Sequence, residues 1–320
     1  MPRSLARRHF FSSATAIVAT STMLGNRAWA QDKRDQGRTG QRRPDQDGQA
    51  SANRRTTSDG EVFAGPYDFS NPYDWLTAYA KVRGRLDGGV ALYHYVAHVY
   101  GIPDGGVAQL MFRREGVSQH RMTVREDRTI DLRYVECNYT QHPETGALID
   151  GFYDNPITGK LVPVQHQKPV PGPLVRINPT GGFNPDIEWE PPAAFVNRVG
   201  PPLFGDGRIF FNDDILMFRP GDAEQMPTGN PRRGDVQLTE LITFSADTSD
   251  VQNPELLSAK SFANISAATP WSGWLAMDDV PGHMMMRYLA EKTETPDGIP
   301  SWLRKRIEKD YPTFFTDPGI

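Results

Sequence analysis

Apolar positions along this chain follow two spacings. Between Ser70 and Gly84, Trp75, Leu76, Tyr79 and Val82 recur as on one face of a helix. Ser70-Asn71-Pro72 offers a cap and a first-turn proline, and Gly84 supplies a stop. Beyond Gly89 the spacing shortens. Val90 to Tyr100 is rich in Tyr and Val and bounded by glycines, which predicts a strand. After a turn at Pro103-Asp104-Gly105-Gly106, Val107–Arg114, His120–Val124 and Thr129–Tyr134 continue the pattern. Arg208–Phe218, Val236–Ser245, Ser258–Ala267 and His283–Glu291 read as further strands. Pro300 and Ser301 open a last helix, with Leu303, Ile307 and Tyr311 on one face and Pro312 as its stop.

The stretch Arg133–Gln167 organises the middle. Pro143-Glu144-Thr145-Gly146 and Pro156-Ile157-Thr158-Gly159 are two corners of the same type. Each joins a proline that presets φ to a glycine that tolerates positive φ. Three runs rich in Tyr, Val, Ile and Phe flank them, which predicts an antiparallel three-stranded meander. With His142 opposite Ala147 and Asn155 opposite Lys160, one face carries Glu136, Asn138, Thr140, Ile149, Gly151, Tyr153, Val162, Val164 and His166. Apolar area with a few placed polar groups suits the wall of a ligand cavity, and the alternative is a solvated outer face.

About ten strands in mostly sequential antiparallel order, with a helix near each end, predict an all-β fold. Closing such a sheet removes its edges, so a closed or nearly closed lipocalin-like barrel is expected, with a two-sheet sandwich as the alternative. Alternation of strands and helices, as in doubly wound folds, is absent. Lys168–Pro202 is Pro- and Gly-rich and reads as a long excursion, the kind of segment that often covers a site.

The start of the chain reads differently. Arg7-Arg8, an apolar run from Ala14 to Leu24 and Ala28-Trp29-Ala30 have the form of a twin-arginine signal peptide, residues 1–30, cleaved after Ala30. The run is too short for a membrane anchor, and no later stretch reaches the ~18 apolar residues of a span. Residues 31–60 contain no Val, Ile, Leu, Met or aromatic side chain and read as a disordered tether. Residues 61–320 then form a single β-rich domain. The expected location is periplasmic or secreted, with the twin-arginine export machinery as a partner and no stable membrane insertion afterwards. The net charge of −4 gives no reason to expect nucleic acid, and the single cysteine, Cys137, excludes an internal disulfide.

The twin-arginine leader, HVYGIP, DNPITGKLVPVQH, TPWSGWLAM with its Pro-Gly turn, and IPSWLRKRIEKDYPTF occur in that order. Together they resemble a bacterial family catalogued as a domain of unknown function, number 1838 in that series, over roughly Tyr73 to Pro318. The resemblance implies one exported domain. It carries no catalytic residue, substrate or cofactor.

The candidate chemistry therefore comes from the residues. His94 and His98 share a face of one strand about 13 Å apart, too far to chelate one ion together. Each can act with groups on neighbouring strands, or pack on the sheet as a satisfied ring. Glu136 and His166 lie two strands apart in the meander, too far for a direct acid–base pair, and Asn138 or Tyr153 is the better neighbour for Glu136. Of Asp213-Asp214, only one can face a cavity, where burial would raise its pKa; a bulge or tight turn is the plainer reading. Trp271 and Trp274 either pack a barrel end or line a ligand mouth. The candidate catalytic groups are thus His166, Glu136, Tyr153 and His98, and the candidate ligand contacts are His94, Asn138, Asp214, Trp271 and Trp274. No metal site is assigned, and the cofactor is unknown; the twin-arginine route carries folded cargo, which favours a cofactor inserted before export without proving one. The expected partner is a small, largely apolar molecule. It is held in a barrel and acted on by acid–base chemistry of the isomerase, lyase or hydratase type. A non-catalytic periplasmic binder, or a metalloprotein using His94, His98 or His166, are the alternatives.

Overall fold

The helix expected after Ser70 is α1 (Pro72–Arg83). In the computed structural model, which describes residues 66–172, 174–179, 181–183, 194–219 and 236–320, Asn71 caps it by accepting from the Tyr73 N–H at 3.0 Å. Trp75, Leu76, Tyr79 and Val82 are all buried. The signal peptide and tether expected over residues 1–60 lie outside the described residues. So does part of the Pro- and Gly-rich excursion.

Three long strands follow: β1 (Val90–Pro103), β2 (Gln109–Val124) and β3 (Ile130–Gln141). Two of them absorb runs that the sequence separates. β2 continues through Gly116, where a Cβ would stand 2.3 Å from the Cys137 carbonyl oxygen. The glycine there marks a close approach between strands rather than a break. The remaining strands are β4 (Phe152–Asp154), β5 (Leu161–Pro163), β6 (Val175–Asn178), β7 (Gly181–Phe183), β8 (Ala194–Val199), β9 (Leu203–Gly205), β10 (Arg208–Arg219), β11 (Val236–Asp247), β12 (Ser261–Thr269) and β13 (Gly282–Thr293). A short helix α2 (Thr248–Gln252) follows β11, and α3 (Ser301–Asp310) follows β13.

One antiparallel sheet runs β7-β6-β3-β2-β1-β13-β12-β11-β10-β8, with β9 also on β10. It curls into an open, lipocalin-like barrel. Among the described residues no ladder joins β7 to β8, yet the two edges meet: a Cβ on Gly182 would stand 2.6 Å from Asn197 Oδ1. α1 plugs one end against Tyr93, Phe211 and Phe244. α3 lies outside the barrel, where Leu303 and Ile307 cover Leu92, Val117, Val135 and Cys137.

Both Pro/Gly corners form. His142 N–H donates to the Ala147 carbonyl at 2.7 Å and Asn155 N–H to the Lys160 carbonyl at 3.0 Å, with Gly146 and Gly159 at φ 68° and 64°. The three-stranded meander between them does not form. Gly151 takes φ 94° and breaks the middle strand. Gln167 and then β6 take up the edge of β3. The β4–β5 hairpin instead covers the barrel end opposite α1, where Tyr153 and Val162 bury against Trp271, Leu275 and Met277. Covering that apolar end takes Tyr153 and Val162 out of water.

Candidate functional site

Strand register fixes which side chains point to the barrel axis. Tyr95 stands opposite Gly116 and Ala290, and Gly116 opposite Asn138. Ala97 stands opposite Arg114 and Tyr288, and Tyr288 opposite Ile265. Glu240 stands opposite Ala267 and Ile215. Since alternate residues share a face, Tyr134 and Glu136 point inward with Asn138, and Asp213 with Ile215.

Packing along the axis is uneven. The α1 end is filled by Tyr79, Tyr93, Phe211 and Phe244, and the hairpin end by Val99, Phe112, Trp271 and Met284, all buried. Between these layers Tyr134, Glu136, Ile215, Glu240, Ile265 and Tyr288 all keep accessible surface. Burial is nevertheless the largest influence on the ionisation of the four titratable ones. Enclosed side chains with surface still open describe a hollow.

Its chemistry is polar on two sides. Burial, reinforced by the Glu136 and Asp213 carboxylates, pushes the Glu240 carboxyl up to about 7. Burial also raises Glu136, against a hydrogen bond from Gln167 Nε2 at 2.7 Å and the charge of Arg114. Tyr95, Tyr134 and Tyr288 are raised by burial and stay protonated. Tyr95 Oη accepts from Asn138 Nδ2 at 2.9 Å. Beneath the hollow, Asp213 is fully buried and satisfied: Tyr79 Oη donates to it at 2.7 Å, Arg83 Nη1 at 2.5 Å and Asn197 Nδ2 at 2.5 Å.

Of the candidates from the sequence, Glu136 and Asn138 line this hollow. Asp214 does not: it lies on the outer face, half-buried, and its neighbour Asp213 takes the inward position. His166 also lies away from Glu136. It packs on Tyr139, whose ring is 5.1 Å away on the outer side of β3. Its Nδ1 accepts from the Thr140 N–H at 3.1 Å and its Nε2 meets Asp150 at 3.3 Å. The shared face expected for Glu136 and His166 was built on the meander that Gly151 interrupts. His94 is on the outer face, with Nε2 2.9 Å from Glu115, and His98 is on the same face between Arg113 and Arg287. Tyr153 is occupied by a hydrogen bond to the Met111 carbonyl at 2.9 Å. Trp271 is buried with its indole N–H on the Val280 carbonyl, and Trp274 packs at a tilt against Phe112 and edge-on against Tyr153. Both tryptophans pack the barrel end. Among the described residues no three His, Cys, Asp or Glu side chains gather as a metal would need, and no helix is long and apolar enough to cross a membrane.

The residues missed from sequence are Arg114, Glu240, Tyr95, Tyr134 and Tyr288. Glu240 did leave a signal: it shares its strand face with Ile242, Phe244 and Ala246, a carboxyl on an otherwise apolar stripe.

Fold and hollow define an open, lipocalin-like barrel able to enclose a small molecule. Residues 205–319 match the model of the family described as Protein of unknown function (DUF1838). The matched segment holds the TPWSGWLAM and IPSWLRKRIEKDYPTF motifs, while HVYGIP and DNPITGKLVPVQH precede it. No curated protein matches the chain.

Proposed function

We propose that this protein holds a small, partly apolar molecule in the hollow between α1 and the β4–β5 hairpin. The observation that carries this reading is the unfilled middle layer, where six inward side chains keep surface that close packing would remove. Tyr rings with Ile215 and Ile265 offer apolar area, and Asn138, Glu136 and Glu240 offer a few polar handles, the usual make-up of a ligand site. The test uses a neutral aromatic probe, 2-naphthamide. It should bind the wild-type protein, and Ile265→Trp should abolish binding while the protein stays folded, because the indole occupies the hollow. If the layer were packed, Ile265→Trp would instead cost ~1–3 kcal/mol of stability, and the probe would not bind.

A second reading, acid–base turnover of the bound molecule, rests on Glu240. A carboxyl near pH 7 is matched to both accepting and donating a proton under neutral conditions. An isomerase, lyase or hydratase step needs such a group beside a carbon acid or an alcohol. Material released from protein purified in its native host should take up deuterium from D2O when returned to wild-type protein. Glu240→Gln should abolish the uptake; uptake that persists in the variant removes Glu240 from this role.

Periplasmic placement through the twin-arginine route belongs to the same proposal and is supported by Arg7-Arg8 and Ala28-Trp29-Ala30. Replacing Arg7 and Arg8 with lysine should leave the uncleaved chain in the cytoplasm.

A further inference from the structure

We propose that the molecule held in this hollow carries a carboxylate, and that Arg114 is the residue that receives it. This rests on the binding reading above and narrows it to one ligand class.

Four cationic side chains are buried among the described residues: Lys81, Arg83, Arg114 and Lys292. Three are matched. Lys81 Nζ donates to the Val251 carbonyl at 2.8 Å and also to that of Asn253. Arg83 pairs with Asp213 at 2.5 Å. Lys292 Nζ donates to the carbonyls of Lys81, Val82, Gly84 and Ala259 at 2.6–3.2 Å. Arg114 is the exception. It points inward from β2, opposite Ala97 and Thr140, and only 7% of its surface is exposed. Its Nε is buried with no hydrogen-bond partner. Among the described residues no ion pair or hydrogen bond engages its terminal nitrogens, and its guanidinium lies over the Phe112 ring at 5.3 Å. Elsewhere this fold meets the cost of burying a cation with acceptors. Leaving one guanidinium without them, at the wall of a hollow, points to an acceptor that arrives from outside.

The neighbourhood favours a carboxylate over a neutral ligand. Arg114 presents a planar fork suited to two carboxylate oxygens. Tyr95 Oη already accepts from Asn138, so its own proton is free to donate. Tyr288 Oη donates only to the Met286 sulfur at 3.0 Å, a weak acceptor that a carboxylate oxygen readily replaces. Glu136, the nearest inward carboxyl on β3, feels the charge of Arg114 but lies beyond ion-pair distance of it and is engaged by Gln167. Asn138 Oδ1 is buried without a donor and suits a hydroxyl elsewhere on the ligand. The aromatic faces of Tyr95 and Tyr288, whose rings lie 5.5 Å apart, favour a flat, unsaturated body.

The test pairs two probes of equal shape, 2-naphthoate and neutral 2-naphthamide, measured by calorimetry on the full chain. Wild-type protein should bind the carboxylate about 10- to 100-fold more tightly than the amide, the range for one charge-assisted pair. Arg114→Gln should erase that preference and leave amide binding in place, and Arg114→Lys should restore part of it. If both probes bind equally to wild-type protein, or if the preference survives in Arg114→Gln, the assignment of Arg114 fails while the hollow stands. If neither probe binds, the hollow reading itself fails and takes this proposal with it. Should Arg114→Gln not fold, the wild-type comparison decides alone.

Discussion

Replacing Glu240 with glutamine tests the enclosed middle layer directly. An ordinary glutamate titrates near 4.5, and in the folded protein this carboxyl is held at about 7. The difference of about 2.5 pH units, at about 1.4 kcal/mol each, corresponds to ~3 kcal/mol. Water reaching the hollow screens part of this, which leaves ~1–3 kcal/mol. The sign follows from proton counts. Between pH 4.5 and 7 the folded state keeps a proton that the unfolded state has lost. This contribution is therefore full below 4.5 and fades as pH rises through 7. Glutamine mimics the protonated carboxyl at every pH. Other groups titrate in this window too: burial lowers His120 and Lys292 and raises Glu136. They are present in both proteins, so the difference between wild type and Glu240→Gln reads residue 240 together with its coupling to Glu136. Denaturant unfolding should find the two equally stable at about pH 4 and below, and the variant ~1–3 kcal/mol more stable at pH 8. A stability difference that stays constant from pH 5 to 8 would place Glu240 in ordinary solvent and refute the enclosed layer.

Other substitutions separate roles that lie close in the chain. Arg114→Met removes a buried cation that has no acceptor, so the ligand-free protein should melt higher, by the equivalent of ~1–3 kcal/mol. Asp213→Ala leaves Arg83 buried and uncompensated and should cost ~3–5 kcal/mol in denaturant unfolding. Asp214→Asn, one residue on and on the outer face, should stay within ~0.5 kcal/mol. Tyr153→Phe strips the Met111 carbonyl of its partner and should cost ~1–2 kcal/mol, with 2-naphthamide binding unchanged; altered binding would put Tyr153 at the hollow.

Local chemistry was legible wherever it was strong. Asn71-Pro72 and Gly84 marked both ends of α1, and each Pro/Gly corner closed with the expected pairing. The all-β barrel also followed from strand counting and the need to cover edges. Partner choice was not legible. Nothing in residues 133–167 states that the hairpin beyond Gly151 leaves β3 for the barrel end. That decision depends on Trp271, Leu275 and Met277, more than a hundred residues later. Tyr153 went with the hairpin and His166 to the outer side of β3, so that only Glu136 and Asn138 of the predicted wall line the hollow. Asp213 and Asp214 show the limit of strand parity: alternation says that one faces inward, and only a third point of reference says which. Arg113-Arg114 poses the same ambiguity. Arg113 pairs outside with Glu115 at 2.6 Å, and Arg114 turns in.

Arg114, Glu136 and Glu240 also belong together energetically. A cavity, an unmatched guanidinium and two carboxyls held toward their neutral forms each weaken the empty barrel. Nothing in α1 or the hairpin requires any of them, since both ends are closed by their own apolar clusters. A bound carboxylate would answer all three at once. Its body would fill the void, its oxygens would satisfy Arg114, and its charge would drive Glu136 and Glu240 further toward protonation. The last effect couples occupancy to proton uptake, so affinity for such a ligand should fall as pH rises through 7. The stability withheld from the middle layer is then recovered only in the complex, in proportion to the logarithm of ligand concentration over Kd. That coupling distinguishes a layer kept open for binding from one that is merely poorly packed.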